Sequence, residues 1–281
     1  MAHGRGSKYG GGVVTGRGSK YGGADLVGSK YGSSPTPPPF VPTDIAGLAL
    51  WLAADVGVTV DGSNNVTGWA DQSDAGNNAG PAVNSPPGNF VLTPNSFGSK
   101  PGLVSASGAE LASTTNIVPL GNPRTVFVVA NVASADSGCV FLSTCPSAHL
   151  NTAVFAIGLW NFSNAGTVYP YTDGIAVSES TGASPSSFED AAKVFAYRFA
   201  SSGKIAFGVD GDALAALSGS DYNDEGGGPG SGYLIGSFVA ASLQGYFKGT
   251  LGEIIVYDSA LSDDDVARVR GYLGDKYGVA L

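Results

Sequence analysis

The pattern of apolar and polar positions divides the chain near residue 43. Beyond that point, strand-like runs recur between turn signals. Residues 125–132 (Thr-Val-Phe-Val-Val-Ala-Asn-Val) form a continuous apolar run rich in β-branched side chains, which predicts a strand covered on both faces. Residues 204–209 lead into Asp210-Gly211, a two-residue hairpin signal, with a returning strand over 213–217. Further strands are predicted over 233–238 and 250–257, and turn signals about every ten residues indicate a β-sandwich. One helix stands out, at the end. Ser262 is a suitable N-cap, Asp263, Asp264 and Asp265 suit the positive N-terminal dipole, and Val266, Val269, Leu273 and Tyr277 fall on one stripe. Arg268, Arg270 and Lys276 lie toward the end that favours cations, and Gly278 can close the helix.

No such periodicity exists before residue 43. Gly-Arg-Gly-Ser-Lys-Tyr-Gly occupies 4–10 and recurs at 16–22, and Ser-Lys-Tyr-Gly returns at 29–32. Each copy sets one cation and one aromatic ring on a glycine-rich backbone, which cannot build a core but suits docking. Ser7, Ser19 and Ser29 are 12 and 10 residues apart, so extended chain spaces successive motifs by up to about 35–43 Å. Tethering three weak contacts in one chain multiplies their effect. Residues 33–43 carry five prolines and predict a semi-rigid polyproline II spacer. The expected organisation is therefore a basic repeat arm (1–32), a proline-rich linker (33–43) and a β-sandwich body (44–281).

Charge sharpens that division. Residues 1–32 hold Arg5, Lys8, Arg17, Lys20 and Lys30 against Asp25, a net of +4 in a chain of −9, which leaves −13 on the remainder. An acidic body repels nucleic acid and anionic membranes, while a basic arm can pair with an acidic protein surface. The residues expected to anchor a partner are Arg5, Lys8, Tyr9, Arg17, Lys20, Tyr21, Lys30 and Tyr31. Nucleic acid is not an expected partner. No apolar run reaches the ~18 residues of a membrane span, and the N-terminus lacks the apolar stretch of a secretory signal.

Residues 47–55 (Gly-Leu-Ala-Leu-Trp-Leu-Ala-Ala-Asp), then 65–73 (Asn-Val-Thr-Gly-Trp-Ala-Asp-Gln-Ser), resemble the opening of concanavalin A-like, laminin-G-like jelly-roll domains. Residues 252–262 (Gly-Glu-Ile-Ile-Val-Tyr-Asp-Ser-Ala-Leu-Ser) and a helix ending Asp275-Lys276-Tyr277-Gly278 resemble that group's last strand and terminal helix. The resemblance brackets residues 44–281. It implies an all-β fold: two packed antiparallel sheets with one C-terminal helix, preceded by the arm. Similar domains occur in bacterial surface proteins, lectin-like modules and bacteriophage structural or fibre proteins.

Candidate chemistry is sparse. Hydrolases sharing such a jelly roll place paired carboxylates on one strand, because an acid and a nucleophile must flank one glycosidic bond. No Glu-x-Asp-x-x-Glu pattern occurs, and the adjacent Glu189 and Asp190 would face opposite ways in a strand. Enzymatic activity is therefore not expected. Cys139 and Cys145 read as a disulfide closing a short loop between neighbouring strands, as free thiols, or as small buried hydrophobes. His3 and His149 offer no zinc site or triad. Calcium, which related lectin-like domains bind through loop oxygens, has a candidate loop at Asp221, Asn223, Asp224 and Glu225, although its spacing matches no standard calcium loop. No other cofactor is expected. Trp51 and Trp69 are expected in the core; Trp160, Tyr169 and Tyr171 are candidate sugar-stacking rings, or aromatic packing between sheets.

The functional expectation is a noncatalytic virion structural protein, of capsid-decoration or head-fibre type. Its arm would hold a capsid or other repeating virion protein while the jelly roll is displayed outward, where it could bind cell-surface glycans. A homo-oligomer, a trimer by preference, and a virion-surface location go with this reading. The alternative is a carbohydrate-binding module on a bacterial cell surface.

Overall fold

The computed structural model describes residues 38–281 apart from 83–87, 107, 116, 118–122, 134–138, 146–154, 160–166, 169–170, 173–174, 177–178, 181–187, 201–204, 217–231 and 241–242. The chain divides into two compact units, Met1–Pro39 and Phe40–Leu281. Of the first, only Pro38 and Pro39 are described. The second is an all-β sandwich with one C-terminal helix.

In chain order its strands are β1 (Leu48–Ala53), β2 (Val58–Val60), β3 (Val66–Trp69), β4 (Gly80–Pro81), β5 (Val91–Phe97), β6 (Lys100–Ser105), β7 (Leu111–Ser113) and β8 (Arg124–Val132). Then follow β9 (Cys139–Cys145), β10 (Phe155–Leu159), β11 (Thr167–Val168), β12 (Tyr171–Thr172), β13 (Ile175–Ala176), β14 (Glu179–Ser180), β15 (Ala192–Phe199) and β16 (Ala206–Val209). The chain closes with β17 (Ala215–Ala216), β18 (Gly232–Ile235), β19 (Ser237–Ala240), β20 (Leu243–Tyr246), β21 (Gly249–Tyr257) and α1 (Asp263–Tyr277). The larger sheet runs β17-β16-β15-β8-β21-β6-β5, with β1 also paired to β21; the smaller runs β10-β9-β18-β7-β4. Every strand pairing is antiparallel.

The larger sheet is buried on both faces at β8, which explains the unbroken apolar run of that strand. Val126, Val128, Ala130 and Val132 join Phe141, Ile157, Phe195, Tyr197 and Ile254 in the core between sheets. Phe127 and Val129 point the other way, onto Val266, Val269, Leu273 and Tyr277 of α1. The helix forms as its sequence requires. Asp265 N–H donates to Ser262 Oγ at 3.2 Å, and Gly278 takes the left-handed conformation, φ 69°, that ends it.

Two strand expectations need correction. The run over 233–238 is two strands, because Gly236 adopts φ 83° and diverts the chain from the smaller sheet into the β19–β20 hairpin. A side chain at Gly236 would meet Phe90 Cζ at 2.6 Å and the Ala109 carbonyl at 2.7 Å. The turn after β16 is wider than two residues. Asp212 N–H closes onto Val209 O at 3.0 Å, Asp210 has φ 51°, and pairing resumes only at Phe207–Ala215. The disulfide reading also falls. Cys139 and Cys145 stand at opposite ends of the single strand β9, about 20 Å apart at ~3.3 Å per residue. Cys139 is a buried free thiol, its pKa pushed up to about 12 by burial. Trp69 is core, as expected, but Trp51 is only half buried.

Candidate functional site

The described residues concentrate their chemistry where α1 meets the larger sheet. Two buried cations of the helix, Lys276 and Arg270, are treated in opposite ways.

Around Lys276 every charge is matched. A register shift between Leu251 and Glu253 leaves Leu251 in the core while Glu253 meets the helix. The Glu253 side chain has no solvent exposure. It accepts four hydrogen bonds: from Trp51 Nε1 at 2.7 Å, Tyr272 OH at 3.0 Å, Lys276 Nζ at 2.7 Å and Tyr277 OH at 2.9 Å. Lys276 also pairs with Asp55 Oδ1 at 2.9 Å, and Asp55 Oδ2 pairs with Lys100 at 3.0 Å. Burial would raise the Asp55 carboxyl, but Lys276 and Lys100 hold it below its ordinary value. Burial would lower the Lys276 ammonium, but Glu253 and Asp55 hold it above. This group is a brace joining β1, β21 and α1.

At Arg270 the matching fails. The residue is 6 % exposed, and its Nη1 donates to the Asp212 carbonyl. Nε and Nη2 are buried without a hydrogen-bond partner. Of the two carboxylates on the adjoining turn, Asp212 acts more strongly on Arg270, and Asp210 is already bound to Lys193 Nζ at 2.9 Å and Val194 N–H at 2.9 Å. Burial lowers the Arg270 pKa, and Asp212 and Asp210 offset this in part. The guanidinium lies against Gly208, where a Cβ would stand 2.7 Å from Nη2. Beside it opens a cleft of about 380 Å³ between α1 and the β16–β17 turn, walled by Ala213, Leu214, Val266, Ala267 and Leu281. Asp263 stands at this cleft too, but its side chain is 87 % exposed and pairs with Arg198 at 2.6 Å.

The loop after β3 is a structural knot. Asp71 accepts from Trp51 N–H at 2.8 Å, Ser73 N–H at 2.9 Å, Ser73 Oγ at 2.7 Å and Asn77 N–H at 2.8 Å. A further buried acid, Glu110, accepts from Ser237 Oγ, and burial raises its pKa.

Most of the sequence-derived site residues are not among those the structure describes. The arm residues Arg5, Lys8, Tyr9, Arg17, Lys20, Tyr21, Lys30 and Tyr31 lie outside the described residues, as do Trp160, Tyr169, His149 and the candidate calcium loop Asp221, Asn223, Asp224 and Glu225. Tyr171 has a described backbone position, paired with Ala176 in a two-stranded ribbon. Glu189 and Asp190 are not in a strand; Asp190 has φ 61° and donates its N–H to Val132 O at 2.9 Å. Among the described residues no cluster of three or more His, Cys, Asp or Glu is placed to hold a metal ion. No described helix is long and apolar enough to cross a membrane. The dipole argument that places Arg270 among the cations of the helix end says nothing of its burial. Its signal was position: with Val266, Val269, Leu273 and Tyr277 it shares the buried stripe.

No family model and no curated protein matches the chain. Solved structures do. Domain 4 of AbnA, a GH43 extracellular arabinanase from Geobacillus stearothermophilus, in complex with arabinotriose, is similar with a TM-score of 0.57 and 13 % identity over 79 % of this chain and 98 % of that one. A GH54 α-L-arabinofuranosidase is similar with a TM-score of 0.54 and 14 % identity over 76 % of this chain and 51 % of that one. Trypanosoma rangeli sialidase in complex with sialic acid gives a TM-score of 0.54 and 16 % identity over 85 % of this chain and 35 % of that one. The likeness is one of fold. This chain spans about half of the arabinofuranosidase and a third of the sialidase. These matches correct one expectation. The missing Glu-x-Asp-x-x-Glu pattern argues against catalysis, yet glycoside hydrolases are prominent among the chains that share the fold.

Proposed function

We propose that residues 40–281 form a lectin-like jelly-roll domain that recognises carbohydrate. The observation that carries this reading is the similarity to the arabinanase domain, which covers nearly all of that domain and whose structure was solved with arabinotriose. A β-sandwich covered on one face by a helix offers a rigid frame, and a rigid frame lowers the entropy cost of fixing a flexible glycan. The test is a glycan array and calorimetric titration with arabinotriose, using the full chain, with reducing-end release measured in the same samples. Saturable binding to a defined set of saccharides is expected. Absence of binding to every saccharide would overturn the reading, and release of reducing ends would add a hydrolytic step to it.

A second reading rests on the repeats alone. Three Ser-Lys-Tyr-Gly copies and a net +4 on residues 1–32, against −13 on the rest, favour attachment of the arm to an acidic, repeating protein surface such as a virion shell. Changing Lys8-Tyr9, Lys20-Tyr21 and Lys30-Tyr31 to Ala is expected to abolish co-sedimentation with that assembly. Unchanged co-sedimentation would remove the attachment role.

A further inference from the structure

A buried guanidinium with two idle donors is costly, because each N–H has lost its water without gaining an acceptor. Well-formed folds leave few such groups, and each calls for an explanation. Arg270 also lines a cleft, although Nε and Nη2 themselves have almost no accessible surface, so a ligand there meets them only when the guanidinium turns. The cleft volume of about 380 Å³ falls at the lower end of the range for small-molecule sites.

We propose that this cleft binds the carboxylate of an acidic sugar, with Arg270 as its anchor. The proposal rests on the carbohydrate reading for the sugar and on Arg270 for the acid. Nε and Nη2 lie on one edge of a planar fork, which matches the two oxygens of a carboxylate. In the structure Nη2 fills the space that a side chain at Gly208 would take, so the guanidinium leaves Gly208 to meet an entering ligand. Ala213, Leu214, Val266, Ala267 and Leu281 supply apolar walls for the carbon skeleton. Of the nearby carboxylates, Asp263 is paired with Arg198 and Asp210 with Lys193, while Asp212 acts on Arg270 itself and is the charge an entering acid has to compete with. The arrangement favours charge, since a carboxylate offers two charged acceptors matched to the fork where a neutral sugar offers only single hydroxyl or ring oxygens.

Calorimetric titration of the full chain with galacturonate, galactose, acetate and arabinotriose tests this. Galacturonate is expected to bind at least about tenfold more tightly than galactose, the scale of one charge-assisted pair. Arg270→Gln is expected to weaken galacturonate by about tenfold to a hundredfold while the thermal midpoint stays near that of the parent. Should that variant unfold, Ala267→Trp serves instead: it changes an exposed helix position and blocks the cleft without touching the guanidinium. Acetate binding as tightly as galacturonate would overturn the sugar half of the proposal and keep the carboxylate half. Equal affinities for galacturonate and galactose, or galacturonate binding unchanged in both variants, would overturn it entirely. If arabinotriose binds and survives Arg270→Gln while galacturonate does not bind, this inference fails and the wider carbohydrate reading stands. Galacturonate binding without arabinotriose binding would mean the reverse.

Discussion

Lys276 and Arg270 lie six positions apart on α1, and both carry charge into the interface between helix and sheet. Lys276 meets two carboxylates, and one of these, Glu253, is itself ringed by an indole and two phenols. Arg270 meets a single backbone carbonyl. The difference separates two uses of a buried cation. A charge whose partners are complete holds elements together and offers nothing to a ligand. A charge left with spare donors beside a cleft adds little to the fold and keeps its bonding capacity for another molecule. The first is expected to be sensitive to mutation through stability, the second through binding.

The strongest test of that contrast is Glu253→Ala. It strands Lys276, Trp51, Tyr272 and Tyr277 without their common acceptor, and breaking a buried pair costs about 3–5 kcal/mol. Urea unfolding should read that loss. The parent should also show its pH signature. Lys276 is raised in the folded state, so its contribution is complete below about 10.4 and fades as pH rises through the folded value. Asp55 is lowered, so its contribution is present above about 3.9 and fades as pH falls through the folded value. A loss below about 1 kcal/mol in Glu253→Ala would show that the brace is not one.

Next in size is Gly208→Ala at the other site. The added methyl would meet Arg270 Nη2 at 2.7 Å and the Asp212 and Ala213 carbonyl oxygens at 2.9 and 3.1 Å. Overpacking of this kind costs about 1–3 kcal/mol, read as a lowered urea midpoint. Arg270→Met should then do less than either. It removes a charge held by one carbonyl and keeps much of the side-chain volume, so stability should stay within about 1 kcal/mol of the parent. A loss of about 3 kcal/mol or more would make Arg270 a brace like Lys276 and remove the contrast.

How much of this was legible depended on whether its cause was local. The strand over 125–132 could be read because burial on both faces selects apolar, β-branched residues at every position. The helix could be read from Ser262, the three aspartates and Gly278, since capping is settled within a turn. The break at Gly236 could not, because what forbids a side chain there is Phe90 and the Ala109 carbonyl, far away in sequence. Nor could the brace, whose members come from 51, 55, 253, 272, 276 and 277. Glu253 looked like an ordinary polar residue in a strand, and only the docked helix shows why it is buried. The repeats within residues 1–32 are the most conspicuous feature of the sequence, but repetition alone does not specify a partner.

Glu110 extends the comparison to a buried acid, and here the expected effect is smallest. It is 8 % exposed and has one described donor, Ser237 Oγ, where Glu253 has four. Burial raises its pKa, and the serine bond only partly opposes that. The folded protein therefore holds this proton to a higher pH than the unfolded chain, whose glutamate titrates near ~4.3. Between those two values the folded state binds more protons, so this group's contribution to stability falls as pH rises, then levels off. Glu110→Gln keeps an oxygen for Ser237 and removes the titration. Its stability relative to the parent should be near zero at pH 4 and positive at pH 7, by less than about 1 kcal/mol. Thermal melts at the two pH values suffice. A variant less stable than the parent at pH 7 would mean that the ionised carboxylate is held as firmly as Glu253, and that sparse partnering alone does not mark a strained charge in this fold.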